Sequence, residues 1–177
     1  MPTPAFDWRP AVEADVAALA VLYREAARGL GPLVYSTEQV AAWASFADDV
    51  EGFRSYVLDA DTWVAEAAAG GAVLGFCGVR IDDGLGEVHS LYVVPPSTRL
   101  GLGTEMLART LVRAEAAGAR RFAAWVTPFS RPVFLRAGFV LAWTVIAPFA
   151  GVMFERYRVE RGGVERANVD QGDVDRD

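Results

Sequence analysis

Apolar and polar positions along the chain follow two periods. Between Ala14 and Arg28, Val16, Leu19, Leu22 and Tyr23 fall on one helical stripe, behind a short strand over Phe6 to Arg9. Ser36 and Gln39 have capping-box spacing, which opens a second helix through Trp43 and Phe46. A third helical piece is expected from Glu51 to Leu58. The period then drops to two. Thr62–Ala67, Val73–Asp82 and Glu87–Val94 read as strands, separated by the turn segments "AAAGGA" and "DDGLG". Alternation within "EVHSLYVV" predicts Glu87, His89, Leu91 and Val93 on one face and Val88, Ser90, Tyr92 and Val94 on the other.

Pro95 ends that strand. Beyond Gly101 and Gly103, the residues Met106, Leu107, Thr110, Leu111 and Ala114 recur at helical spacing, and Gly118 closes the helix. "RRFAAWV" predicts a strand, and "SRPVFLRAGF" a short helix capped by Ser130. Val140–Ile146 and Val152–Val159 form a final hairpin that turns over Pro148 to Gly151. Helices followed by strands with two crossover helices predict one α/β domain around a mixed sheet, over residues 1–160. From 161 to 177 the apolar period is lost, and an acidic, mobile tail is expected.

Composition narrows the classes. A chain of 177 residues that is 53% hydrophobic can bury a core and is not a disordered polymer. It has no apolar run near the ~20 residues of a membrane helix, so no membrane partner is expected. "MPTPAFDWRP" lacks the basic and apolar segments of a secretory signal. Cys77, the single cysteine, cannot form an internal disulfide, and its apolar surroundings mark it as a buried small side chain. A cytoplasmic protein without a metal is expected. The net charge of -6 argues against nucleic-acid binding and leans toward cationic or neutral small partners. Every basic residue is an arginine; the chain has no lysine.

The glycine pair Gly101 and Gly103 sits where a strand hands over to a helix. The first N–H groups of that helix have no internal partner and lie at the positive end of its dipole, which suits an anion such as a phosphate. Two familiar phosphate loops are excluded. Met106 occupies the third glycine of the dinucleotide fingerprint, and no lysine is present for a mononucleotide loop.

Leu91-Tyr92-Val93-Val94-Pro95, followed by Thr98-Arg99-Leu100-Gly101-Leu102-Gly103, resembles the central motif of the GNAT acetyltransferases. "FLRAGF" and "FDWRPAVEADV" extend the resemblance over roughly residues 5 to 160, and "VYSTEQVAAWA" with "RPVFLRAGF" is most like the YafP-like branch. The resemblance implies a single mixed, mostly antiparallel twisted sheet of about six to seven strands flanked by helices. It also implies acetyl-CoA as cosubstrate, held by Leu91, Tyr92, Val93, Arg99, Leu100, Gly101, Leu102, Gly103, Thr104 and Phe134. Glu87 matches the catalytic glutamate of histone-acetylating members, and Glu87 with His89 matches the histidine pair of serotonin acetyltransferase. The family's acceptor pocket lies between the first two helices and the last hairpin, which points to Tyr35, Trp43 and Trp143 as lining residues, with Phe149 and Phe154 nearby. A homodimer is compatible with the family.

Two positions depart from the family pattern. Thr98 stands where Arg or Gln is usual, and Phe134 where many members have the tyrosine that protonates the departing thiolate. The chemistry ranks these losses. Holding a lysine-like amine of pKa ~10.4 neutral at pH 7 costs roughly 4.6 kcal/mol, whereas a thiol of pKa ~8.5 leaves tolerably as thiolate. A base is the larger need, so the expected function is transfer of acetyl from acetyl-CoA to the primary amine of a small molecule. The alternatives are a CoA-binding regulatory domain without transfer, favoured by Phe134 and Thr98, and a transferase acting on a protein amine.

Overall fold

The computed structural model describes residues 5–68 and 70–162; the expected acidic tail lies almost wholly outside them. Seven strands form one sheet: β1 (Phe6–Pro10), β2 (Asp61–Ala67), β3 (Val73–Asp82), β4 (Leu85–Val93), β5 (Arg121–Val126), β6 (Val140–Phe149) and β7 (Val152–Arg161). Their order is β1-β2-β3-β4-β5-β7-β6, and every neighbouring pair is antiparallel except β4 with β5. The expected mixed, mostly antiparallel α/β sheet is what the chain forms.

Five helices cover it: α1 (Val16–Leu30), α2 (Thr37–Ser45), α3 (Val50–Leu58), α4 (Leu102–Ala116) and α5 (Arg131–Arg136). None of the described helices is long and apolar enough to cross a membrane. The stripe read on α1 is buried at Leu19, Leu22 and Tyr23 and packs with Phe53, Val57, Val64 and Phe76 on one face of the sheet. Met106, Leu107 and Leu111 of α4 pack with Cys77, Val79, Val88 and Phe122 on the other. Cys77 is fully buried, and burial pushes its thiol up to about 12. Local capping sets the boundaries. Ser36 accepts from the Gln39 N–H while Gln39 accepts from the Ser36 N–H, as the capping-box spacing predicts. Ser130 differs from expectation: its hydroxyl accepts the Thr127 N–H and makes no cap bond to α5.

Two local features shape the interior. On β4 one extra residue is inserted opposite β3, since Gly78 pairs with Ser90 while Val79 pairs with Val88. His89 is therefore the odd residue of a β-bulge. On β3, Gly75 lets α4 lie close to the sheet. A Cβ there would stand 2.6 Å from the Tyr92 carbonyl oxygen and 2.9 Å from the Met106 sulfur.

Gly75→Ala forces the strand carbonyl and the helix apart together. It is expected to destabilise the domain by about 1–3 kcal/mol, read as a lower urea midpoint at unchanged slope.

Candidate active site

The pairing of β4 with β5 runs from Leu85–Arg121 to Val88–Ala124 and stops there. Beyond it the strands part, and the bulge at His89 begins at the same level. A cleft of about 1060 Å³ opens in the gap, lined by His89 to Val93 of β4, by Arg99, Gly101, Gly103 and Thr104 of the following turn, and by the β5–α5 connection from Thr127 to Ser130. The edge of β4 past Val88 faces this cleft without a strand partner from β5; the His89 carbonyl oxygen accepts the Tyr56 hydroxyl, and the edge beyond it is open to another extended chain.

The turn into α4 forms the cleft's anion end. Arg99 and Gly101 adopt left-handed φ values of 62° and 85°, which swing the chain into the helix. The first α-helical bond runs from the Glu105 N–H to the Gly101 carbonyl, so the N–H groups of Leu102, Gly103 and Thr104 have no helical acceptor. A Cβ on Gly103 would meet only the Val93 side chain, at an ordinary 3.6 Å. The fold does not require a glycine at that position, whereas close approach of a ligand to the backbone does. Arg99 and Arg136 place two guanidinium groups on the same cleft. Thr98 lines the cleft as well, and its hydroxyl donates to the Pro95 carbonyl oxygen at 2.8 Å.

A second, smaller cleft of about 300 Å³ adjoins the first. Trp43, His89, Tyr92, Trp125 and Thr127 line both, so the two meet at these residues. Its walls are aromatic. Tyr35 sits edge-on to Trp43 at 5.9 Å and to Phe154 at 5.3 Å, and Phe46 faces Phe149 at 6.2 Å. These contacts, with the bond from Gln39 Nε2 to the Met153 carbonyl oxygen, fasten α2 onto the β6–β7 hairpin beside the cleft.

The two acid–base candidates occupy the wall of this smaller cleft. The alternation predicted for β4 fails at the bulge. Leu91 and Val93 pack toward α4, whereas His89 lies edge-on to Tyr56 at 4.7 Å, on the α1–α3 side, and Glu87 borders the cleft on that side. The inserted residue reverses the faces on either side of it. Both oxygens of Glu87 accept from Arg158 of β7, one of them at 2.8 Å. Both ring nitrogens of His89 are buried and have no hydrogen-bond partner among the described residues. Burial, with a smaller contribution from Arg80, pushes the His89 pKa down to about 4. The imidazole is therefore neutral at pH 7.

Of the residues predicted to hold the donor, Leu91, Tyr92, Val93, Arg99, Gly101, Gly103, Thr104 and Phe134 line the large cleft. Leu102 does not, because its side chain is buried under α4, and Leu100 is not part of the lining. Tyr35 and Trp43 line the smaller cleft. Trp143 is half exposed on β6, edge-on to Trp125, and lies outside both. The sequence reading passed over Trp125, Phe129 and Arg136. Their signal was position: Trp125 lies at the carboxyl end of β5, and Phe129 and Arg136 come after it, where α/β sheets gather ligands. Among the described residues, no three His, Cys, Asp or Glu side chains converge as a metal site would require.

Comparison with known proteins agrees with this geometry. The model of the family described as "Acetyltransferase (GNAT) family" matches residues 19–139. No curated sequence matches the chain. Among solved structures, a GCN5-related N-acetyltransferase from Rhodopseudomonas palustris superposes with a TM-score of 0.83 at 23% identity, over 92% of this chain and 98% of that one. The PaiA N-acetyltransferase of Thermoplasma acidophilum, in complex with coenzyme A, gives 0.72 at 17%, over 90% and 99%. The YncA acetyltransferase of Salmonella typhimurium, with acetyl-CoA, gives 0.62 at 22%, over 94% and 99%. At these identities the likeness is one of fold.

His89 makes a testable signature. Its folded pKa lies below the ordinary 6.5, so on acidification the unfolded chain takes up the proton first. This share of stability is complete above pH 6.5 and is lost as the pH falls toward 4. At 1.36 kcal/mol per unit, urea unfolding at pH 5 should show about 2 kcal/mol less of it than at pH 7.5. The loss should be missing from His89→Asn, and the imidazole NMR signals of the wild type should not titrate between pH 5.5 and 8.

Proposed function

Because the chain belongs to the GNAT family of acetyltransferases, we propose that it transfers an acetyl group from acetyl-CoA to the primary amine of a small molecule. The observation that carries this reading is the meeting of two unlike clefts. One is large and is lined by the helix start with its free N–H groups and by two arginines; the other is small and aromatic, and they join beside His89 and Trp125. The first fits a donor that combines a pyrophosphate with an extended amide-bearing arm. The N–H groups of Leu102, Gly103 and Thr104 receive the pyrophosphate, Arg99 and Arg136 offset its charge, and the unpaired edge of β4 from Ser90 to Val93 receives the arm. Acetyl-CoA supplies a thioester acetyl group that a neutral amine can take directly. The small volume of the aromatic cleft favours a compact amine over a protein chain.

The incoming amine must lose a proton, and two groups border its path. His89 lines both clefts, is neutral, and keeps its ring nitrogens free of protein partners; Glu87 lines only the smaller cleft and already holds Arg158. We assign the proton's exit to His89, whose buried ring nitrogens meet a water in the cleft only when the imidazole rotates away from Gly78, and to Glu87 the holding of Arg158. An imidazole with pKa near 4 is a weak base, so the amine's own ionisation dominates the pH dependence. Phe134, buried against Phe139, offers no proton to the leaving thiolate, which departs well enough without one.

Gly103→Val is expected to fold normally and to lose most affinity for CoA in calorimetry, since a branched side chain enters the cradle while the protein around it has room. Equal affinity in the two proteins would mean that CoA does not lie there.

Release of CoA thiol over a panel of amines tests the transfer itself. His89→Gln should lower kcat/KM by about 10²-fold or more, within the range of a positioned base, with CoA affinity unchanged. The rate should rise with pH along the amine's titration. If His89→Gln and Glu87→Gln both retain turnover within about threefold of wild type, neither group carries the proton.

A further inference from the structure

The small cleft is lined by two carboxylates, and both are engaged. Glu87 is held by Arg158, and Glu155 accepts the Tyr157 hydroxyl. It is also lined by one cation, Arg156, which forms no ion pair and no hydrogen bond with any described residue. This contrasts with Arg158, two positions along the same strand, which is held by Glu87 and lies 3.8 Å from Glu160. Arg156 is half-buried, and its guanidinium lies over the Trp125 ring at 5.1 Å, at the level where the two clefts join. The aromatic face holds the planar group without using its N–H donors. Its charge is felt within the cleft, where it eases the ionisation of Tyr35 and Tyr92 against the larger effect of burial.

A guanidinium held over an aromatic face, with unused donors on the wall of a cavity, can receive a planar anion through two parallel hydrogen bonds. The rest of that wall consists of aromatic rings, which favour an apolar or aromatic body. The volume of about 300 Å³ suits a compact molecule. We propose that the acceptor is an amino acid or a close analogue, an amine that carries a carboxylate and an apolar side chain, and that Arg156 receives the carboxylate. This rests on the acetyl-transfer reading above. In the reaction the amine nitrogen forms a bond to the acetyl carbon as the carbon–sulfur bond breaks. The nitrogen gives up a proton and CoA leaves as thiolate or thiol.

The test compares amino acids with their decarboxylated partners: L-phenylalanine with 2-phenylethylamine, L-tryptophan with tryptamine, and L-leucine with 3-methylbutylamine. CoA thiol release is followed for wild type and Arg156→Gln. In at least one pair the amino acid should have the higher kcat/KM, by about tenfold or more. A charged hydrogen-bonded contact is worth 10- to 150-fold, so Arg156→Gln should remove that preference, chiefly through KM. The decarboxylated partner should change less than about threefold, and CoA affinity should stay unchanged. Turnover of the plain amines alone, or a preference that survives Arg156→Gln, overturns this inference and leaves acetyl transfer standing. No turnover of any member, with acetyl-CoA bound, overturns the transfer reading and this inference with it.

Discussion

The parallel pairing of β4 with β5 ends at Val88 and Ala124, and the rest of the site depends on where it ends. A strand that loses its neighbour leaves one edge of its peptide groups without a strand partner, and here that edge runs along a cleft. The bulge at His89 falls at the same level. It turns two consecutive side chains, His89 and Ser90, toward Gly78, where a Cβ would stand 2.6 Å from His89 Nε2 and 2.8 Å from Ser90 Oγ. The missing side chain at 78 and the inserted residue at 89 are thus two halves of one packing arrangement. It holds an imidazole at the junction of two clefts while the sheet continues on either side.

Most of the scaffold was legible because local chemistry dictates it. The reciprocal bonds of Ser36 and Gln39 fix the start of α2, and the stripe on α4 leaves no choice of face. The turn from Arg99 to Gly103 could be read from spacing, since left-handed backbone followed by a helix needs glycine or some strain. What could not be read depends on partners distant in sequence. The alternation of "EVHSLYVV" carries no mark of the bulge, because the bulge is a matter of register against Gly78 and Val79 on β3. The ion pair between Glu87 and Arg158 joins residues far apart in the chain, and nothing near Glu87 announces it. Trp143 has the composition of a pocket residue but lies on the outer strand, past Trp125. Thr98, where the family pattern has Arg or Gln, spends its hydroxyl on the Pro95 carbonyl oxygen, a bond within the turn that the spacing does not reveal.

Polar groups in the smaller cleft are disposed unevenly. Tyr23, Tyr56 and Tyr92 are buried deeply enough to hold their hydroxyls protonated far above neutral pH, and Tyr56 donates to the His89 carbonyl oxygen at 2.7 Å. The cleft therefore presents phenols, a neutral imidazole, two engaged carboxylates and the single guanidinium of Arg156. On β7 the guanidinium groups of Arg156 and Arg158 both lie near Trp125. One indole thus stands between a structural arginine and an open one.

The burial of Cys77 has a further chemical consequence. Thioesters react spontaneously with amines and thiolates, and a protein that holds one risks acylating itself. Here the only thiol is sealed between the sheet and α4, and burial keeps it protonated at any working pH. No lysine exists anywhere in the chain. The side chains of this protein thus offer a thioester neither a lysine amine nor an exposed thiolate.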